Sequence, residues 1–196
     1  MNQIKQSIIE EYWLKKLEGE LPVISLLSNR NLKNEKTAGL FSQEIPGSTA
    51  EKMFKMANNS DPGLFTLAMA NLNILLYRYT GIEDLVTGTL YPEQYGNTGN
   101  ILFCRNRLDG NITLKDFIMQ MGREVQETFK FGAYGFTDMS KALQLKKGKN
   151  ISEIFSFAFI YDKFQNKKQS VDRFDVVIIL TTVKDGLGLE VIYNPV

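Results

Sequence analysis

Apolar residues recur along this chain with two periods, near 3.6 and near 2, and the switches between them outline its elements. Over residues 5–18, Ile8, Ile9, Tyr12, Trp13 and Leu17 stand at helical spacing, and Gly19 suits the stop. "LPVISLLSNRNLKNEKT" keeps neither period and reads as an irregular connector, whereas "AGLFSQEI" reads as a strand. "GSTAEKMFKMA" carries Ser48 with Glu51 three places on, a capping-box pattern that predicts a short helix. The clearest segment is "DPGLFTLAMANLNILLYRYTG". Asp61 is placed to cap it, Pro62 fits the first helical position and Gly81 ends it. Leu64, Leu67, Ala68, Ala70, Leu72, Leu75 and Leu76 leave little polar face, which predicts a well-buried helix.

"DLVTGTL" and "NILFCRNRL" then read as strands, with "YPEQYGNTGN" between them. "DGN" turns the chain, and Thr113 with Asp116 opens a helix whose Phe117, Met121, Val125 and Phe129 share one face. In the last third the period falls to two. "EIFSFAFIY" sets Phe155, Phe157, Phe159 and Tyr161 on one side and Ile154, Ala158 and Ile160 on the other. "FDVVIILTTV" is strongly β-branched, and Asp185–Gly186 turns the chain into "KDGLGLEVIY", the strongest hairpin signal present. Early helices and a late antiparallel hairpin predict a mixed α/β fold of two layers. No internal repeat and no long linker interrupts residues 1–196, so they read as a single domain.

Composition narrows the function. With 196 residues, 43% apolar and 23% charged, the chain can bury a core as one domain. A net charge of +1 gives no field for nucleic acid or an anionic membrane. No apolar run approaches the roughly 18 residues of a membrane span. The opening "MNQIKQSIIEEYW" has no apolar core of a secretory signal. One cysteine, Cys104, excludes an internal disulfide framework and fits a reducing, cytoplasmic setting. There is no histidine, so acid–base chemistry would fall on carboxylates, lysine or tyrosine, and a typical zinc site is disfavoured.

Several stretches could carry a site, and each has a plain alternative. "YPEQYGNTGN", with Tyr91 and Tyr95, suits a ligand-cradling loop or a simple connection. It matches neither the dinucleotide fingerprint nor the P-loop, because no Lys–Ser or Lys–Thr pair follows its glycines and a strand comes next. Cys104 and Arg105 point to opposite faces by alternation, and without a histidine to activate it Cys104 reads as a buried thiol. Lysines 141, 146, 147, 149, 163, 167 and 168 flank the aromatic strand, as solvated loop ends or as a docking surface for an acidic partner. Glu10 and Glu11, the latter four and five places before Lys15 and Lys16, read as helix-surface ion pairs. Phe155, Phe157 and Phe159 read as core or, if left uncovered, as a partner surface together with Tyr91 and Tyr95. No cofactor or metal is implied.

Taken in order, these segments resemble the second half of the condensation domains of nonribosomal peptide synthetases. "EYWLKKLEGELPVISLLSNR" resembles the opening of that half, a Tyr-Trp helix followed by "LP" and an Asp-Arg or Asn-Arg pair. "LFTLAMANLNILLYRYTGIEDLVTGTL" is similar to its long helix and the strand ending in Gly-Thr-Pro. "GNTGNILFCRNRLDGNITLKDF" resembles the Gly-x-Phe-Val-Asn-Thr motif with its strand and helix. Gly96 and Asn100 fall on the motif's Gly and Asn, and Arg105 on its strand-ending Arg. "SEIFSFAFIY" resembles the Asn-Pro-Leu-Phe strand, and "FDVVIIL" with "LEVIYNPV" the final hairpin.

The resemblance implies one acetyltransferase-like half of a V-shaped domain, a mixed sheet with helices on one face. It also implies that the catalytic motif His-His-x-x-x-Asp-Gly belongs to the other half, so no catalytic residue is expected here. The motif His-Gln-Asp-x-Pro-Phe-Glu is degraded to "AYGFTDMSKAL", and Arg-Asp-x-Ser-Arg is replaced near "KKGKNISEI". The family's floor loop, which crosses to the first half, is shortened to residues 91–100, and its apolar Phe-Val becomes Asn97, Thr98 and Gly99. Shortening lowers loop-closure entropy, and polar residues keep an uncovered edge in water. The chain is therefore expected to be a truncated, noncatalytic half-domain that contacts a neighbouring adenylation or carrier domain. The alternative is one half of a split acyltransferase whose histidines come from another chain. A homodimer through the face left bare is a further expected partner.

Overall fold

The computed structural model describes residues 3–24, 39–96, 100–133, 136–147, 156–163, 165, 173–184 and 186–193. Helix α1 runs Gln3–Lys16, strand β1 Gly39–Glu44, α2 Gly47–Met56, α3 Asp61–Thr80 and β2 Asp84–Leu90. After a 3-10 turn at Glu93–Tyr95 come β3 Ile101–Arg107, α4 Leu114–Lys130, α5 Phe136–Lys147, β4 Phe157–Tyr161, β5 Val176–Val183 and β6 Gly186–Tyr193. The six described strands form one sheet in the order β1-β6-β5-β4-β2-β3. β4 lies parallel to β2 and to β5, and the remaining pairs are antiparallel. This is the expected mixed α/β arrangement, with β5 and β6 as the expected hairpin and Val183 facing Gly186. Asp185 lies outside the described residues.

The central strand β4, "FAFIY", is buried at every position, which requires cover on both faces. Leu85, Cys104, Phe157, Phe159, Tyr161 and Leu180 pack beneath α3 and α4. Val86, Phe103, Ala158, Ile160, Val177 and Ile179 pack with Ile9 and Trp13 of α1, with Leu17 just after it, and with Met139 and Leu143 of α5. The expected layer of helices is α2, α3 and α4; α1 and α5 add a second cover on the opposite face. Helix α5, "FTDMSKALQLKK", overlaps the degraded motif "AYGFTDMSKAL" and runs beyond it.

Two caps differ from expectation. Ser48 does not cap α2: the helix starts at Gly47 after Pro46, whose φ of −51° initiates it, and no side chain caps it. Helix α3 is capped by Ser60, whose hydroxyl accepts from the Gly63 N–H at 3.2 Å and donates to the Ala57 carbonyl at 2.8 Å. Asp61 and Pro62 are therefore its first two residues. Asn58 and Asn59 join α2 to α3 at φ 53° and 52°, and Ser60 N–H donates to the Ala57 carbonyl at 3.1 Å, closing a type I′ turn. Gly81 at φ 72° ends α3, and Thr113 accepts from Asp116 N–H to open α4, both as expected.

Candidate functional site

The stretch after β2 folds back on its own sheet. Tyr91 N–H donates to the Asn100 carbonyl at 2.9 Å and closes the loop. Pro92 leads into the 3-10 turn, and Gly96 ends it at φ 99°, a conformation that side-chain-bearing residues rarely adopt. Asn100 Nδ2 donates to the Gly132 carbonyl at 3.3 Å, which ties the start of β3 to the turn after α4. The Tyr91 ring lies on Gly132, where a Cβ would come within 2.5 Å of Tyr91 Cδ2. Tyr95 leans on Tyr91 with ring centroids 5.5 Å apart and is 55% exposed.

Tyr91 and Tyr95 form one wall of a cleft of about 950 Å³, whose other walls are the start of α3 and the flank of α4 carrying Val125 and Phe129. At its floor, Asp61 Oδ1 accepts from the Tyr161 hydroxyl at 3.2 Å and from Lys163 Nζ at 3.0 Å. Buried Gln165 stitches the ends of β2 and β4 together. Its Nε2 donates to Thr89 Oγ1 at 2.9 Å and to the Leu90 carbonyl, and its Oε1 accepts from the Tyr161 N–H at 2.9 Å. Burial raises both the Tyr91 and Tyr161 phenols above 10.0, and the Asp61 hydrogen bond raises Lys163. These shifts keep the phenols neutral and the amine charged at pH 7, the wrong direction for general bases. The cleft can therefore bind through phenols and an ammonium group.

Arg105 stands at the far end of β3 and works as a clamp. Its guanidinium grips Asp84 through Nε at 3.0 Å and a second nitrogen at 2.6 Å. It also donates to the carbonyls of Lys16, Glu18 and Glu20 at 3.2, 2.5 and 3.0 Å, closing the C-terminal end of α1. Lys16, expected on the helix surface, instead turns inward. Its Nζ pairs with Glu124 and donates to Tyr12 Oη at 2.8 Å and to Thr128 Oγ1. Burial alone would lower Lys16, but Glu124, Cys104 and Tyr12 together outweigh it and the group is raised above 10.5. Cys104 lies beside this pair, 3.7 Å from Thr128 Oγ1, and burial pushes its thiol up to about 12. That is the inert buried thiol expected from the sequence.

The structure thus brings Tyr91, Tyr95, Gly96 and Asn100 together and sets Arg105 apart as a helix anchor. Phe157 and Phe159 are 3% and 2% exposed, so they belong to the core rather than to an interface; Phe155 lies outside the described residues. The strand pairs with β2 and β5 on both sides and is roofed on both faces, which the alternation pattern could not reveal. Lys141, Lys146 and Lys147 are carried on α5 rather than at the ends of β4. Gln165 had no sequence signal, since a lone glutamine among lysines looks like any solvated loop residue. Among the described residues no cluster of histidine, cysteine and carboxylate side chains could hold a metal ion, and no helix is long and apolar enough to cross a membrane.

A layered α/β structure in which a mixed sheet carries helices on both faces defines the fold class. The condensation-domain model matches residues 2–195, and the chain belongs to that family. Bacitracin synthase 1 from Bacillus licheniformis is 25% identical over 94% of this chain, which spans 4% of that relative's length. The condensation domain of the monacolin K polyketide synthase superposes with a TM-score of 0.75 at 15% identity, over 98% of this chain and 53% of that one. The X-domain from teicoplanin biosynthesis, solved in complex with OxyB, superposes with a TM-score of 0.74 at 16% identity, over 97% and 48%. The chain spans about half the length of these solved structures.

Proposed function

We propose that this chain is a noncatalytic, condensation-like half-domain of a nonribosomal peptide synthetase, working in the cytoplasm as a structural or docking module beside an adenylation domain. One observation carries the reading: each position shared with the family's motif is committed to holding this half together. Asn100 ties β3 to the turn after α4, Arg105 closes α1, and the Tyr91 ring packs on Gly132. The sequence has no histidine to supply the family's acid–base chemistry. The X-domain's complex with OxyB supports a docking role, because a chain of similar fold there meets another protein. A homodimer has its support elsewhere on the surface, on the edge of β1 that no described residue covers.

A condensation assay with donor and acceptor carrier proteins, both loaded, tests the reading. The expected result is no peptide above background when this chain is added. Turnover by the chain alone overturns the proposal. Turnover only after co-expression with a histidine-bearing first half replaces it with the split-acyltransferase reading.

A further inference from the structure

The two edges of the sheet are finished differently. At β3, Glu124 Oε1 accepts from the Arg105 backbone N–H at 2.7 Å, and Gln120 Nε2 donates to the Arg107 carbonyl at 3.1 Å. Side chains of α4 thus occupy outward backbone groups of that edge. At β1 no described residue does the same. The strand reads "GLFSQE", with one charge at its end and no proline or bulge within it. Leu40 is 66% and Phe41 51% exposed, on opposite faces. Exposed strand edges are ordinarily blunted by charge, proline, a bulge or cover, and one without these devices is a template for another strand.

The hydrogen-bond phase says which groups are free. Ile45 N–H donates to the Leu187 carbonyl at 2.8 Å, and β1 pairs with β6 so that Gly39 faces Tyr193. Odd-numbered residues of β1 therefore turn their N–H and C=O toward β6. Leu40, Ser42 and Glu44 turn theirs outward. The Tyr193 ring lies over Gly39, where a Cβ would meet Tyr193 Cζ at 2.0 Å. The glycine lets this ring lie across the strand.

We propose that β1 pairs with β1 of a second copy of this chain, antiparallel about a twofold axis at Ser42, joining two sheets into one. This register uses all three outward residues. Ser42 faces Ser42, and Leu40 faces Glu44 in each direction. It places no like charges opposite one another, and it sets Phe41 beside the aliphatic stem of Gln43 of the other copy. The strand is thus complementary to itself in hydrogen bonding and in charge, which a twofold contact requires. The contact is small, at the low end of interface sizes, so the dimer forms at high concentration and exchanges readily.

Sedimentation equilibrium of the full 196-residue chain tests this up to about 1 mM, the range of contacts this weak. The average mass is expected to climb from 22.3 kDa toward twice that value. Ser42→Pro removes an outward N–H without breaking the bonds to β6, and Leu40→Glu sets a carboxylate opposite Glu44 of the other copy in each direction. Both are expected to stay monomeric with an unchanged circular-dichroism spectrum. Under mild oxidation Ser42→Cys is expected to cross-link two copies, whereas Gln43→Cys, offset by two positions from its own mate, is not. Cys104 is buried and does not compete. A constant mass at every concentration, a dimer that survives both edge variants, or equal cross-linking at 42 and 43 overturns the proposal. So does strong hydrogen-exchange protection of the β1 edge in a monomer, which would show that another segment covers it.

Discussion

Removing the amine of Lys16 tests whether α1 is held by a buried charge or merely by apolar contact. Its side chain is 7% exposed and that of its partner Glu124 is 15%. Lys16→Met leaves the Glu124 carboxylate with the Arg105 N–H at 2.7 Å and no counter-ion. Breaking one member of such a buried pair costs on the order of 3 kcal/mol, because the remaining charge stays desolvated. For a chain of this size each kcal/mol moves the melting temperature by about 2–4 °C, so a fall of roughly 6–12 °C is expected. Glu124→Gln keeps an acceptor for the strand but strands the ammonium group, and a similar loss is expected. The double variant carries neither charge and should recover at least ~1.5 kcal/mol relative to the sum of the two singles. Trp13, the one tryptophan, is 1% exposed, donates from Nε1 to the Phe131 carbonyl at 3.1 Å and lies 5.4 Å from Lys16 Nζ, so its fluorescence in urea reports directly on this corner. Repeating the cycle in 1 M salt should change little, because the pair is out of water. Single-variant losses below ~1 kcal/mol, or additive energies, would refute the idea that a desolvated ion pair anchors α1.

Ser60→Ala should destabilise the chain by about 1 kcal/mol, while Ser48→Ala should stay within about 0.5 kcal/mol of the parent, because only Ser60 caps a helix. Equal urea midpoints for the two variants would contradict this assignment. Alkaline pH should also weaken the fold. The Cys104 thiol is raised from 9.0 to about 12, first by burial and then by Glu124, and Lys16 is raised above 10.5. Groups with raised folded values contribute fully below their unfolded values and lose that contribution as pH climbs. The urea midpoint should therefore hold between pH 7 and 9 and fall above 9, with Cys104→Ala removing the first part of the fall; a midpoint unchanged to pH 11 would exclude the mechanism.

Much of the fold was legible in sequence because it rests on local rules. Gly81 had to take a left-handed conformation to end α3, Thr113 could reach the Asp116 N–H, and the β-branched run before Asp185–Gly186 had few alternatives to a hairpin. Helix α5 was harder to see. Its buried positions, Met139, Ala142 and Leu143, show one helical turn of spacing between polar residues, too short a pattern to separate from a loop. Lys16 could not be assigned from its neighbours, since Glu10 and Glu11 offered ordinary surface partners while Thr128, which accepts from it, lies 112 residues away.

The chain's order of apolar runs, its glycines and its missing histidine already determined an α/β scaffold, the condensation-family likeness and the absence of imidazole chemistry, because backbone sterics, side-chain period and the inventory of titratable groups are properties of the residues themselves. Only the tertiary structure decided that Tyr91 and Asn100 both meet Gly132, that Arg105 closes α1, that both faces of the sheet are roofed, and that α4 covers the β3 edge while no described residue covers that of β1. Each of those depends on which distant segment arrives at a surface. An apolar stripe or an unpaired backbone group says that it must be covered, but not by what.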